Sequence, residues 1–132
     1  MKNLHLIGFF LILLASTLVG CASSEYVPQG STKIASFEGT FSGTRYDGNC
    51  RIDLFELADG TQRFEGNFMG EEMVTVFLRG NVIGNQITGA FEAPADGNLS
   101  GTRTADGSQI NGTYQLTTPN TDNGRWQATQ KK

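Results

Sequence analysis

One pattern recurs five times along the chain: a large residue, any residue, glycine, any residue, and usually a second large residue. It reads Phe37-Glu38-Gly39-Thr40-Phe41, Phe64-Glu65-Gly66-Asn67-Phe68, Ile87-Thr88-Gly89-Ala90-Phe91, Leu99-Ser100-Gly101-Thr102-Arg103 and Ile110-Asn111-Gly112-Thr113-Tyr114. In a strand, alternate side chains share a face. Each copy therefore places large, bare and large positions on one side. Glu38, Thr40, Glu65, Asn67, Thr88, Asn111 and Thr113 fall on the other. A helix would scatter the same residues around its circumference. Glycine weakens a strand unless the backbone must bend or approach another group closely. Two reasons for it are open: curvature of a sheet that closes on itself, or room for a neighbouring aromatic ring.

Turn signals fall between these segments at hairpin spacing: Asp47-Gly48-Asn49, Asp59-Gly60, Gly84-Asn85, Asp96-Gly97-Asn98, Asp106-Gly107-Ser108 and Asp122-Asn123-Gly124. Gly and Asn accept the positive φ that tight hairpin turns need. The chain has 17 Gly against 3 Pro, about twice the usual glycine share of roughly 7%, with normal aromatic content, which favours many turns over disorder. The runs between turns predict eight strands, near 36–46, 50–58, 61–69, 72–83, 86–93, 98–105, 108–117 and 123–130. Short connections make sequential strands antiparallel neighbours. The fold class is therefore all-β: an eight-stranded antiparallel meander whose edges are best removed by closure into a small barrel.

Alternation also assigns an interior: Phe37, Phe41, Ile52, Leu54, Phe64, Phe68, Val74, Val76, Leu78, Ile87, Phe91, Leu99, Ile110, Tyr114, Leu116 and Trp126. These are bulky enough to fill an eight-stranded barrel, whose lumen otherwise holds one small ligand. The stretch Met73–Ile83 departs from the pattern by being almost continuously apolar. Either it is covered on both faces, leaving Met73 and Phe77 outside beside Phe55 as an apolar contact patch, or a bulge swaps its inward face midway. Arg45 and Arg103 continue inward faces and would be costly in a dry core, which places them at a barrel mouth. There they would meet an anionic ligand, pair with Asp53 or Glu56, or meet solvent.

The first twenty residues stand apart. Met1-Lys2 supplies a positive start and Leu6–Leu14 an apolar run, the layout of an export signal and short for a spanning helix. Leu18-Val19-Gly20-Cys21 follows, and it resembles the lipobox of bacterial lipoproteins. The resemblance implies cleavage before Cys21 and a diacylglycerol on its sulfur, with further acyl chains such as palmitate. Ala22-Ser23, with no Asp after the cysteine, is similar to outer-membrane sorting signals. Two or more chains anchor stably where one is marginal. The expected organisation is a signal helix at 1–20, a lipidated flexible tether at 21–35 and a barrel domain at 36–132. The tether would span roughly 20 Å, from about 5–6 Å times the square root of its length. The protein would sit on the outer membrane, facing the periplasm or the cell surface.

Charge and rare residues narrow the chemistry. The ten Lys and Arg lose Lys2 with the signal, leaving nine scattered against 13 Asp and Glu, so a nucleic-acid partner is not expected. His5, the only histidine, leaves with the signal as well, which removes the base of Ser-His-Asp and Cys-His catalysis and the usual zinc ligand. With Cys21 lipidated, Cys50 has no internal disulfide partner, and a small buried thiol at the start of a strand is the simpler reading than a reactive one. Glu71-Glu72 reads as a solvated hairpin tip before half of a two-carboxylate site. No calcium-loop spacing, P-loop, dinucleotide turn or nucleophile elbow is present. No metal, no cofactor and no catalytic residue are expected.

The meander is also similar to the lipocalin and avidin class of small barrels, with Gly39-Thr40-Phe41 standing where lipocalins carry Gly-x-Trp. The function expected is non-catalytic binding by a membrane-anchored envelope lipoprotein. Another protein is the first partner expected, with Arg45, Arg103, Phe55, Met73 and Phe77 as candidate contacts. The alternatives are a small apolar or anionic ligand at the barrel mouth, or a structural accessory role in an envelope complex.

Overall fold

Eight runs of alternating exposure become eight strands in the computed structural model, which describes residues 30–132. They are β1 (Ser31–Gly43), β2 (Asp47–Leu57), β3 (Gln62–Gly70), β4 (Met73–Ile83), β5 (Gln86–Phe91), β6 (Asp96–Arg103), β7 (Gln109–Thr118) and β8 (Asp122–Gln130). Sequential strands pair antiparallel, and β1 also pairs β8, from Phe37 opposite Gln130 to Gly43 opposite Gly124, so the meander closes into a barrel. Closure gives hydrogen-bond partners to the backbone groups that two open edges would leave unpaired.

Two-residue alternation produces this result strand by strand. In β7, Ile110, Tyr114 and Leu116 are buried while Asn111, Thr113 and Gln115 are exposed. In β8, Trp126 and Ala128 point in while Arg125 and Gln127 point out. Every residue expected inside is buried except Val74, which is 83% exposed. The reason is a bulge at the start of β4. Met73 lies opposite Gly70 and Val76 opposite Phe68, so Val74 and Thr75 together face the single residue Met69. Val74 is thereby lifted onto the rim, and Met73, expected outside, is half-buried against the core instead. The bulge thus swaps the inward set from Met73 to Val76, Leu78 and Val82 at the start of the strand rather than midway, and from Val76 onward β4 alternates regularly with its outer face uncovered.

Side chains fill the lumen. Phe41 and Phe68 stack with centroids 4.6 Å apart, and Tyr114 and Phe91 meet this pair edge-on at 5.2 to 5.8 Å. The bare positions make the larger rings fit. Gly101 lies opposite Gly112 beneath the Trp126 ring, and a Cβ there would come within 2.6 Å of Trp126 Cζ2 and 2.5 Å of Trp126 Nε1 respectively. Gly80 and Gly89 form the equivalent pair under Phe64. At Gly80, Gly89 and Gly112 the added Cβ would also press on a neighbouring strand's backbone, so ring room and close strand approach operate together there, while at Gly101 it would meet side chains alone.

The strand ladder and the buried core of the described residues lie within Ser31–Gln130, which therefore carries the contacts that fold it. β1 takes in Ser31–Ala35, residues assigned to the tether on sequence, and includes a bulge between Lys33 and Ala35. The signal segment, Cys21 and the rest of the tether lie outside the described residues.

Candidate functional site

At one end of the barrel, four turns surround a cavity. They join β1 to β2 (residues 44–46), β3 to β4 (71–72), β5 to β6 (92–95) and β7 to β8 (119–121). The cavity holds about 420 Å³, within the roughly 300–1,000 Å³ usual for small-molecule sites. Its walls are mostly apolar: Met73, Val74, Val76 and Phe77 from β4, Ala93, Pro94 and Ala95 from the β5–β6 turn, and Leu116 and Pro119 around the β7–β8 turn. Tyr46, Glu72, Glu92 and Asn120 add polar groups, and the Asn120 amide donates to Tyr46 Oη at 2.7 Å. The aromatic cluster of Phe41, Phe68, Phe91 and Tyr114 does not line the cavity, whose buried walls are the core residues Val76, Ala95 and Leu116.

A buried carboxylate holds this end together. Asp122, 2% exposed, accepts from Tyr114 Oη at 2.6 Å and from the backbone N–H groups of Arg45 at 2.8 Å and Tyr46 at 3.3 Å. It thereby fixes the β1–β2 turn and, through Tyr46, one wall of the cavity. Such donors are what an otherwise costly buried charge requires. Burial, followed by the hydrogen bond to Asp122, pushes the Tyr114 phenol above its ordinary range, so it stays a donor. Gly43 completes the arrangement: a Cβ there would lie 2.7 Å from Asp122 Oδ1 and closer still to Tyr114 Oη.

The charge at this end is mainly negative. Its turns and strand starts carry Asp47, Glu71, Glu72, Glu92 and Asp96 against Arg45, and Glu92 is bonded to Arg79 of β4. Among the described residues, no Lys or Arg lines the cavity.

The structure separates the residues that sequence grouped. Arg45 is exposed at the cavity end, bordering a shallow neighbouring depression with Thr117, Pro119 and Asn120. Arg103 lies at the opposite end. Its Nε donates to the Gly107 carbonyl at 3.0 Å, and its guanidinium carbon sits 5.2 Å from the centroid of Phe37, covering the core there. The two arginines therefore cannot share one mouth: Arg45 follows β1 and Arg103 ends β6, and in an up-and-down meander odd and even strands finish at opposite rims. Asp53, named as a partner for them, instead meets Arg51 at 3.3 Å and Lys33 at 3.8 Å.

The apolar patch is divided as well. Phe55 lies on the outer face between Lys33 and Arg63, yet it is 2% exposed. Phe77 is 54% exposed and pairs with Asn67, four residues along β3 from Arg63, which is about 13 Å at the usual strand rise. Met73 and Phe77 border the cavity, and Phe55 does not. Cys50 is buried, its thiol directed at the Gln127 carbonyl at 3.7 Å, and burial pushes its pKa up to about 12.

Sequence reasoning missed Tyr46, Ala95, Pro119 and Asp122 because three turns were placed too late. Asp47, Asp96 and Asp122 each begin a strand, and the true turns precede them. The glycines after these aspartates, Gly48, Gly97 and Gly124, sit against carbonyls of adjacent strands. Pro94 and Pro119 were the available signals, since proline marks a turn more firmly than Asp-Gly in a glycine-rich sheet. Among the described residues, no group of three or more His, Cys, Asp or Glu side chains is placed to hold a metal ion. Set against known proteins, the chain matches no family model and no curated sequence.

Proposed function

We propose that this chain is a membrane-anchored, non-catalytic envelope lipoprotein whose small lipocalin-like or avidin-like barrel binds a small apolar molecule at the mouth formed by the β1–β2, β3–β4, β5–β6 and β7–β8 turns. The observation that carries this reading is the 420 Å³ apolar cavity above a filled lumen. The acidic surroundings speak against the anionic ligand, and the burial of Phe55 removes one corner of the protein-binding patch. A protein partner stays the second reading, favoured by the exposure of Val74 and Phe77 on the cavity rim.

Two experiments test the two halves. A neutral fluorophore such as N-phenyl-1-naphthylamine should bind saturably at one site. Ala93→Trp, which adds a ring at an exposed lining position, should abolish that binding with the fold intact by circular dichroism. Binding unchanged in the variant would overturn the cavity as the site. For the anchor, Cys21→Ala should leave the precursor unlipidated and release soluble protein. Unchanged membrane fractionation would refute lipidation at Cys21.

A further inference from the structure

The cavity's apolar walls say nothing about what a ligand carries at its exposed end, but its ionisable lining does. Among the described residues, Tyr46, Glu72 and Glu92 are the ionisable groups on it. Glu92 is bonded to Arg79 and so is already compensated. Glu72 stands exposed on the rim beside Glu71, with Asp47 and Asp96 at the starts of neighbouring strands. From the adjacent β1–β2 turn Tyr46 contributes an aromatic ring, its hydroxyl occupied by Asn120 and its backbone N–H by Asp122. Arg45, the cation of the β1–β2 turn, borders the adjacent depression on the far side of Pro119 and Asn120 rather than the cavity itself.

We propose that the mouth cavity selects an apolar molecule bearing a cationic ammonium head, with Glu72 as its counter-charge and the Tyr46 ring as a second contact. This rests on the small-molecule reading above. An ammonium gains from a carboxylate near a low-dielectric wall and from an aromatic face. A sulfate or carboxylate head in the same position would meet Glu72 and the acidic turns and would be repelled. A hydroxyl head would gain neither term. Glu72, which on sequence reads with Glu71 as a solvated hairpin tip, thus acquires a role through the turn that carries it to the cavity.

The experiment uses protein beginning at Ala22, which keeps all eight strands. It compares decyltrimethylammonium, decanol and decyl sulfate by titration calorimetry, below their micellar concentrations and at low ionic strength, where exposed charge is least screened. The ammonium probe should bind about tenfold more tightly than the sulfate, a difference of about 1.4 kcal/mol. Glu72→Gln should narrow that ratio to about threefold or less. Equal or tighter binding of the sulfate, or discrimination unchanged in Glu72→Gln, overturns the cationic preference. If all three probes bind alike, the cavity stands as a site and the charge selectivity fails. If none binds, the small-molecule reading fails with it.

Discussion

Replacing Gly112 by Ala would add one methyl group, and its effect can be worked from the geometry. The new Cβ would lie 2.5 Å from Trp126 Nε1 and press on the Ser100 carbonyl of β6. Trp126 Nε1 now donates to that carbonyl at 3.1 Å and to the Thr113 carbonyl at 3.3 Å. Any retreat of the ring would break these two hydrogen bonds, and the new Cβ would still press on backbone that cannot move without shifting β6. Overpacking a well-filled core costs about 1–3 kcal/mol, and loss of the indole hydrogen bonds adds about 1 kcal/mol. Against this, removing a glycine from the unfolded chain stabilises by about 0.4–1 kcal/mol. Steric cost wins, and the net expectation is about 2 kcal/mol of destabilisation. Trp126 is the only tryptophan, so its emission during urea unfolding reports on the site itself. The midpoint should fall with an unchanged slope, while Thr113→Ala on the exposed outer face should move it by less than about 0.5 kcal/mol. A Gly112→Ala midpoint equal to that of the parent would refute the assignment of these glycines as space for a ring.

Other consequences follow from buried and turn-bound groups. Asp122→Ala would leave Tyr114 Oη and the backbone N–H groups of Arg45 and Tyr46 without their acceptor, and should cost about 3 kcal/mol in urea unfolding and weaken fluorophore binding by loosening the Tyr46 wall. Cys50, held up to about 12 by burial, should resist a thiol reagent at pH 8 in the folded protein and react promptly in urea; rapid native labelling would contradict its placement. Asp106 is held down at about 2 by the Thr104 hydroxyl, then by the backbone and hydroxyl of Ser108. A depressed carboxylate stabilises the fold above its unfolded value of 3.8 and loses that contribution as pH falls through the folded one. Thermal melts of the parent should therefore decline between about pH 4 and pH 2 more steeply than those of Asp106→Asn, and parallel curves would argue against the turn geometry.

Much of the architecture is legible because strand alternation is a local property. The side-chain period assigns Ile110, Tyr114 and Trp126 to the interior without knowledge of their neighbours. The turns at Asp59-Gly60, Gly84-Asn85 and Asp106-Gly107 are likewise local, and their glycines adopt φ of +86°, +60° and +77°. Asp47-Gly48, Asp96-Gly97 and Asp122-Asn123-Gly124 look alike in sequence but begin strands, where their glycines admit an adjacent strand's carbonyl, Gly97 doing so with a φ of +143°. Which role a glycine takes depends on how closely another strand approaches, and no local pattern encodes that.

Period and turn chemistry alone determined the class, the number of strands, their order and nearly all of the filling, because each acts over a few consecutive residues. The tertiary structure decided what alternation cannot address: the bulge that lifts Val74 to the rim and the cover over Phe55. It also assembled the mouth, bringing Tyr46, Glu72, Ala95 and Pro119 from four turns to one cavity. Residues distant in the chain become neighbours there only because closure of β1 onto β8 fixes the angle at which every turn meets the next.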